Sequence, residues 1–139
     1  MTEAAARLLR EYPDAHVFFG ATRQTFESAL AVWDVFEDSE CWVMLEGTGS
    51  ERTLHWFCPK GASLPALRRI FAYVFRDLGI ESLSGDTAKG HPYYRESRAL
   101  AIALGMENVG ERHVLTYPRF LAYNRGKVGF PGGSAWAAL

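Results

Sequence analysis

The chain has 139 residues and a mass of 15.6 kDa, the size of one domain with one core. Its 48% hydrophobic and 22% charged residues exclude a disordered, collagen-like or acidic-linker state. Fifteen Lys+Arg against sixteen Asp+Glu give a net charge of −1, which leaves no positive field to hold a nucleic-acid backbone or an anionic membrane. No apolar stretch approaches the length of a membrane span, and the first residues lack the pattern of an export signal, so a cytoplasmic protein is expected. The two cysteines, Cys41 and Cys58, belong to no CxxC or Cys/His pattern and read as reduced thiols.

In chain order, Thr2 caps a helix over residues 3–12 with Leu8 and Leu9 on one side and Arg7 and Arg10 towards water, ended by Pro13-Asp14. Residues 22–36 are ambiguous between helix and strand. Phe26, Leu30 and Trp33 fit a helical stripe, whereas residues 31–36 are rich in strand formers; a loop or short helix near 21–28 followed by a strand is the favoured reading. A turn at 37–39, a strand over 41–46, a turn at 47–50 and a strand over 52–58 form an antiparallel meander. Ser63 then caps a helix with Pro65 in its first turn. Leu64, Leu67, Ile70, Phe71, Val74, Phe75 and Leu78 line its inner face, with Arg68, Arg69, Arg76 and Asp77 opposite. Gly79 stops that helix, residues 80–84 form a short buried strand, and a loop leads to a helix over 93–104 with Leu100, Ala101 and Leu104 inward. A last strand covers 113–117. A helical crossover between the 52–58 and 80–84 strands makes that pair parallel.

This order, a strand ending in Pro, a glycine-containing turn, a long amphipathic helix, a strand, and a helix ending in Leu104-Gly105-Met106 before a last strand, resembles the GNAT superfamily of N-acetyltransferases over roughly residues 40 to 120. The expected fold is therefore a single α/β domain: a GNAT-like mixed sheet with helices packed on it, residues 1–125, followed by a Gly- and aromatic-containing tail, 126–139. In size and layout the chain also resembles the short, divergent GNAT-like proteins of tailed bacteriophages, including virion and accessory proteins. The resemblance implies acetyl-CoA as cofactor, held at the turn Cys58-Pro59-Lys60-Gly61-Ala62-Ser63 through backbone amides at a helix N-terminus, with the peptide edge near Trp56 and Cys58 pairing with the pantetheine. The turn departs from the family's Gln/Arg-x-x-Gly-x-Gly/Ala pattern: one glycine remains, and Pro65 removes an amide. Ala101 stands where the family commonly has its general-acid tyrosine, and Tyr94 where it has Asn, which leaves Tyr93 or Tyr94 as the substitute proton donor.

Outside the resemblance, His16, His55, His91 and His113 have no metal-ligand spacing, and no nucleophile-elbow motif occurs. His55, on a strand near the opening of the sheet, is the candidate base. Arg95, Arg98, Arg112, Arg119, Arg125 and Lys127 make the last third basic, but Glu96, Glu107 and Glu111 interleave with them as on a solvated rim. Tyr117, Phe120, Tyr123, Phe130 and Trp136, lying beyond the last expected strand among Pro, Gly and Arg, read as a docking segment for a protein partner or a second copy. Two functions follow: a non-catalytic GNAT-like protein that acts by protein–protein interaction, in the cytoplasm or in a virion, and an acetyl-CoA-dependent N-acyltransferase acting on an amine.

Overall fold

The computed structural model describes residues 1–86 and 89–132. Six helices and six strands follow in the order α1 (Glu3–Glu11), α2 (Ala15–Phe18), α3 (Arg23–Val32), β1 (Asp34–Asp38), β2 (Cys41–Glu46), β3 (Glu51–Phe57), α4 (Leu64–Arg76), β4 (Ser82–Asp86), α5 (Tyr94–Ala103), β5 (Glu107–Val109), β6 (Arg112–Thr116) and α6 (Tyr117–Asn124). The strands form one mixed sheet in the order β1-β2-β3-β4-β6-β5, in which β3 and β4 are the parallel pair and every other pair is antiparallel.

Alternation along β2 explains how the sheet carries a core on each face. Cys41, Val43 and Leu45 join a cluster built on α4, α5 and α6, while Trp42 and Met44 join a second cluster with Leu8, Phe26 and Leu30 from α1 and α3. The first helix is fixed at both levels: Thr2 Oγ1 accepts from the Ala5 amide at 3.1 Å, and Trp42 Nε1 donates across the core to Ala4 O at 3.0 Å. In α4, Ser63 Oγ accepts from the Ala66 amide at 3.3 Å and Pro65 lies in the first turn, as the capping pattern requires.

Several expectations are corrected. Residues 23–32 are helical, so Ala31 and Val32 are not strand; the strand begins at Asp34, after the stripe of Phe26 and Leu30 is buried. The first hairpin turns at Ser39 and Glu40, both at positive φ (52° and 64°), because the left-handed two-residue turn suits the twist of the strands it joins. Arg7 is not free in water: its guanidinium bonds Glu37 at 2.7 Å and Glu40 at 2.9 Å, tying α1 to that turn. Arg68 is buried at 8% exposure, contrary to its expected place on the outer face, and Leu78 is exposed because the helix ends at Arg76, before it. The strand expected at 80–84 runs from Ser82 to Asp86, with Ile80 buried just before it.

The end of the chain differs most. Residues 117–124 are the helix α6, started by Thr116 Oγ1 accepting from the Arg119 amide, and Phe120 is fully buried against Phe71 and Phe75. Tyr117 stacks on Phe75, and Phe130 returns to Phe120 with ring centroids 5.7 Å apart. Tyr117, Phe120 and Phe130 therefore pack on the protein's own core, whereas Tyr123 stays exposed under the Arg119 guanidinium. Val128 O accepts from Arg68 Nη1 at 3.0 Å, and Gly129 lies so close to the Pro65 backbone that a Cβ would have no room. The start of the tail is thus docked on α4; Trp136 lies outside the described residues.

Candidate functional site

The parallel pair is short. Its register joins Glu51 to Ser82, Arg52 to Leu83 and Thr53 to Ser84, and stops there. Beyond this point Gly85 approaches β3 so closely that a Cβ would lie 2.9 Å from Leu54 O, and the strands then part. Residues 54–57 keep β2 on one side and have no strand partner on the other among the described residues. The opening is a cleft of about 1060 Å³ walled by Phe18, Trp56, Phe57, Cys58, Tyr93 and Leu100. Asp14 and Glu96 also line it, and among the described residues no Lys or Arg does.

The four-residue helix α2 supplies one wall. His91 Nε2 meets Phe18 O at 2.8 Å, and the Phe18 ring packs on Phe57, His91 and Tyr93, so α2 and the loop before α5 are held together over the cleft. On the other side Trp56 Nε1 reaches Ser97 Oγ at 3.4 Å, linking β3 to α5. Next to the cleft is a smaller cavity of about 260 Å³ whose lining includes His55, His91, His113, Asp86 and Ser97. Within it the buried Nδ1 of His113 has no hydrogen-bond partner. No group of three or more His, Cys, Asp or Glu among the described residues is arranged to hold a metal ion.

The turn from β3 to α4 can be resolved amide by amide. Of residues 59–66, Pro59 and Pro65 have no N–H. Gly61 N–H donates to Cys58 O at 3.1 Å, Ser63 N–H to Cys41 Sγ at 3.4 Å, and Ala66 N–H to Ser63 Oγ at 3.3 Å. Only the amides of Lys60, Ala62 and Leu64 are uncommitted. The Lys60 ammonium is 3.8 Å from Glu40, with its side chain 70% exposed, and is not part of the cleft wall.

The expected site residues therefore divide. Trp56, Cys58, Gly61, Ala62 and Tyr93 meet at the cleft, whereas Lys60 and Ser63 belong to the turn without lining it. Tyr94 is turned to its own helix, its hydroxyl accepting from Arg98 Nη1 at 3.2 Å. His55 lies in the smaller cavity, stacked face to face on Trp33 at 4.6 Å with its Nε2 3.1 Å from Glu46 Oε1. Tyr93 and His55 are thus held in different cavities. Sequence reasoning missed Phe18, His91, Glu96 and Ser97. A four-residue helix is too short to show a period, and the three scattered histidines converge through strands β3 and β6 and the loop before α5.

Cys41 and Cys58 prove to be neighbours. The β2 and β3 register ends at Trp42 with Phe57, and one step beyond it brings Cys41 and Cys58 close enough for each thiol to shift the other's pKa. The Cys58 thiol and the Ser63 amide both donate towards the Cys41 sulfur and lower its pKa to about 7; Cys58, which gives that bond, is pushed up. No protein-family model matches the chain, and no curated protein matches it.

Proposed function

We infer that the chain is a GNAT-like domain that works by binding a protein segment rather than by transferring an acyl group. The observation that carries this reading is the unpaired edge of residues 54–57 opening onto an aromatic cleft that no cation lines. An extended peptide placed there adds a strand to β3 through main-chain hydrogen bonds and seats apolar side chains against Phe18, Trp56 and Leu100. The sheet order, its single parallel pair and the splay beside a strand-turn-helix support the GNAT likeness. The likeness to phage virion and accessory proteins is supported by length and layout.

Acyl transfer from acetyl-CoA is the second reading, and the splay itself favours it, since a pantetheine arm is also a strand mimic. Against it stand the electrostatics. A diphosphate requires converging amides and cations; here three amides are uncommitted, Lys60 of the turn is paired with Glu40, and Asp14 and Glu96 repel an anion. Tyr93 is the one expected proton donor at the cleft, and it is 53% exposed at the rim.

Calorimetric titration with acetyl-CoA and with free CoA at millimolar concentration tests the choice. No heat is expected from either; saturable heat from both would overturn the binding-only reading. In parallel, selection of a displayed peptide library on the protein is expected to enrich apolar, extended sequences that Trp56→Ala no longer retains. Equal retention by Trp56→Ala would remove the cleft from the account.

A further inference from the structure

We propose that Cys41 and Cys58 form a redox-active dithiol at the mouth of the cleft, which a hydroperoxide converts to a reversible cross-strand disulfide.

Three observations converge on the pair. First, the residues face each other across the continued β2 and β3 register. Opposed residues in an antiparallel ladder have Cα atoms about 4.5–5.5 Å apart, inside the separation of about 4.4–6.8 Å that a disulfide spans. The expected Cα spacing is therefore within a disulfide's reach. Second, the two sulfurs differ in access: Cys41 is fully buried, whereas Cys58 is half-buried and lines the cleft. One sulfur meets the oxidant and the other waits behind it, the division of labour of a peroxidatic and a resolving thiol. Third, Cys41 is supplied with two donors, the Cys58 thiol and the Ser63 amide at the start of the thirteen-residue helix α4. A thiol so placed is stabilised as thiolate.

The chemistry balances with one peroxide. The buried Cys41 sulfur, the more acidic of the two thiols, acts as the base: it takes the Cys58 proton as the peroxide is met, so the anion forms on the reachable sulfur only in that step. The Cys58 thiolate attacks one peroxide oxygen and the O–O bond breaks; the departing hydroxide takes a proton and leaves as water, and Cys58 becomes a sulfenic acid. Cys41, giving up its proton, then attacks the Cys58 sulfur, the S–O bond breaks, and the second hydroxide leaves as water with that proton. In sum, two thiols and one hydrogen peroxide give one disulfide and two molecules of water; an organic hydroperoxide gives its alcohol in place of one of them. Each sulfur loses one electron and the peroxide gains two.

The position gives the bond a consequence. In the reduced protein the Ser63 amide is spent on the Cys41 sulfur. Once that sulfur is a neutral disulfide it is a poorer acceptor, so oxidation acts on the turn that borders the cleft. A buried hydrophobic thiol pair with no such access would be inert.

The test uses the full chain, reduced and freed of reductant, treated with hydrogen peroxide in slight excess over protein. Denatured thiol counts and intact mass under non-reducing conditions are the readouts. Both thiols are expected to disappear together, with a mass loss of about 2 Da in a monomer, and dithiothreitol is expected to restore both. Cys41→Ser should stop at a sulfenic acid, about 16 Da heavier, which dimedone traps at Cys58. Cys58→Ser should keep Cys41 reduced at the same dose. Retention of both thiols in the wild-type chain, further oxidation of Cys58 with Cys41 still free, or a disulfide-linked dimer in place of the internal bond would each overturn the proposal.

Discussion

Replacing Arg68 with Met tests whether the end of the chain is truly part of the domain. The side chain lies on α4 at 8% exposure; Nε donates to Asn124 Oδ1 at 3.0 Å and Nη1 to Val128 O at 3.0 Å. Asn124 is itself fully buried and passes its Nδ2 hydrogens to Leu104 O at 2.8 Å and Phe120 O at 3.0 Å. One guanidinium thus joins α4 to α6, to the end of α5 and to the segment after α6. Methionine keeps much of the apolar stem and removes two hydrogen bonds from a charged donor, each worth about 1.5–3 kcal/mol. Relief of the buried charge returns roughly 1–4 kcal/mol. Val128 is exposed, so its O finds water, whereas Asn124 Oδ1 stays unpaired in the core at a further cost of about 1–3 kcal/mol. The expected net loss is about 4 kcal/mol, read from urea unfolding by tryptophan fluorescence with an unchanged m-value. Asn124→Ala should cost a similar amount, and the double variant should fall short of additivity by about 1–2 kcal/mol because both remove the same bond. A loss under about 0.5 kcal/mol for Arg68→Met, or full additivity, would refute the account of a shared buried network.

Two further outcomes follow from named contacts. Gly129→Ala should detach the segment after α6 rather than unfold the domain, since its φ of 92° and the adjoining Pro65 backbone both reject a Cβ. The readout is trypsin, which should cleave after Arg125 and Lys127 at least several-fold faster than in the wild-type chain while near-ultraviolet circular dichroism is unchanged. Acid stability should depend on the turn between β1 and β2. The Arg69 guanidinium holds Asp38 below the usual carboxylate range, and the Tyr12 hydroxyl, with Lys60 and Arg7, does so for Glu40. A carboxylate with a depressed folded pKa adds stability that is complete above its unfolded value, about 4, and is lost as pH falls through the folded one. Stability should therefore decline below about pH 4.5, and Arg69→Met combined with Tyr12→Phe should flatten that decline. An equally steep fall in the double variant would show that other groups govern it.

What could be read beforehand was what repeats locally. The inner stripe of α4 carries Leu67, Ile70, Phe71, Val74 and Phe75, all buried as their spacing requires, and Cys41 to Glu46 forms a strand with the expected bounds. The parallel pairing of β3 with β4 followed from a helix lying between two strands. Arg68 was misplaced because periodicity assigns a charge to the solvent side, whereas its stem reaches a pocket whose acceptors, Asn124 and Val128, are more than fifty residues away. Phe120 was misplaced for the converse reason: residues 117–124 are eight in number, and Pro118 in the first turn reads equally as the stop of a strand or the start of a helix. The candidate site was visible only in part. The turn and the edge at Trp56 are contiguous in sequence, but the histidine cavity and the Cys41 and Cys58 pair exist only through strand register.

The same splay serves a peptide and a pantetheine equally well, since each needs only an unpaired strand edge, so discrimination falls to what lies at the cleft's mouth. For a diphosphate the decisive groups are amides and cations, and several of them have been diverted to structural tasks, which leaves the amides of Lys60, Ala62 and Leu64. Ser63 N–H is engaged by Cys41, Gly61 N–H closes a turn on Cys58, Ala66 N–H is capped, and Lys60 faces Glu40. Glu40 is in turn held by Tyr12 and Arg7, and its carboxylate draws the Lys60 ammonium, 3.8 Å away, towards the hairpin rather than the cleft. Building a phosphate cradle here would require further donors or cations at the turn. A peptide ligand requires none of them: it uses the edge as it stands, with Asp14 and Glu96 placed to favour a basic residue beside the apolar ones. Lys or Arg should therefore recur next to the apolar anchors of any segment that binds, and adding salt should weaken such a segment more than an uncharged one.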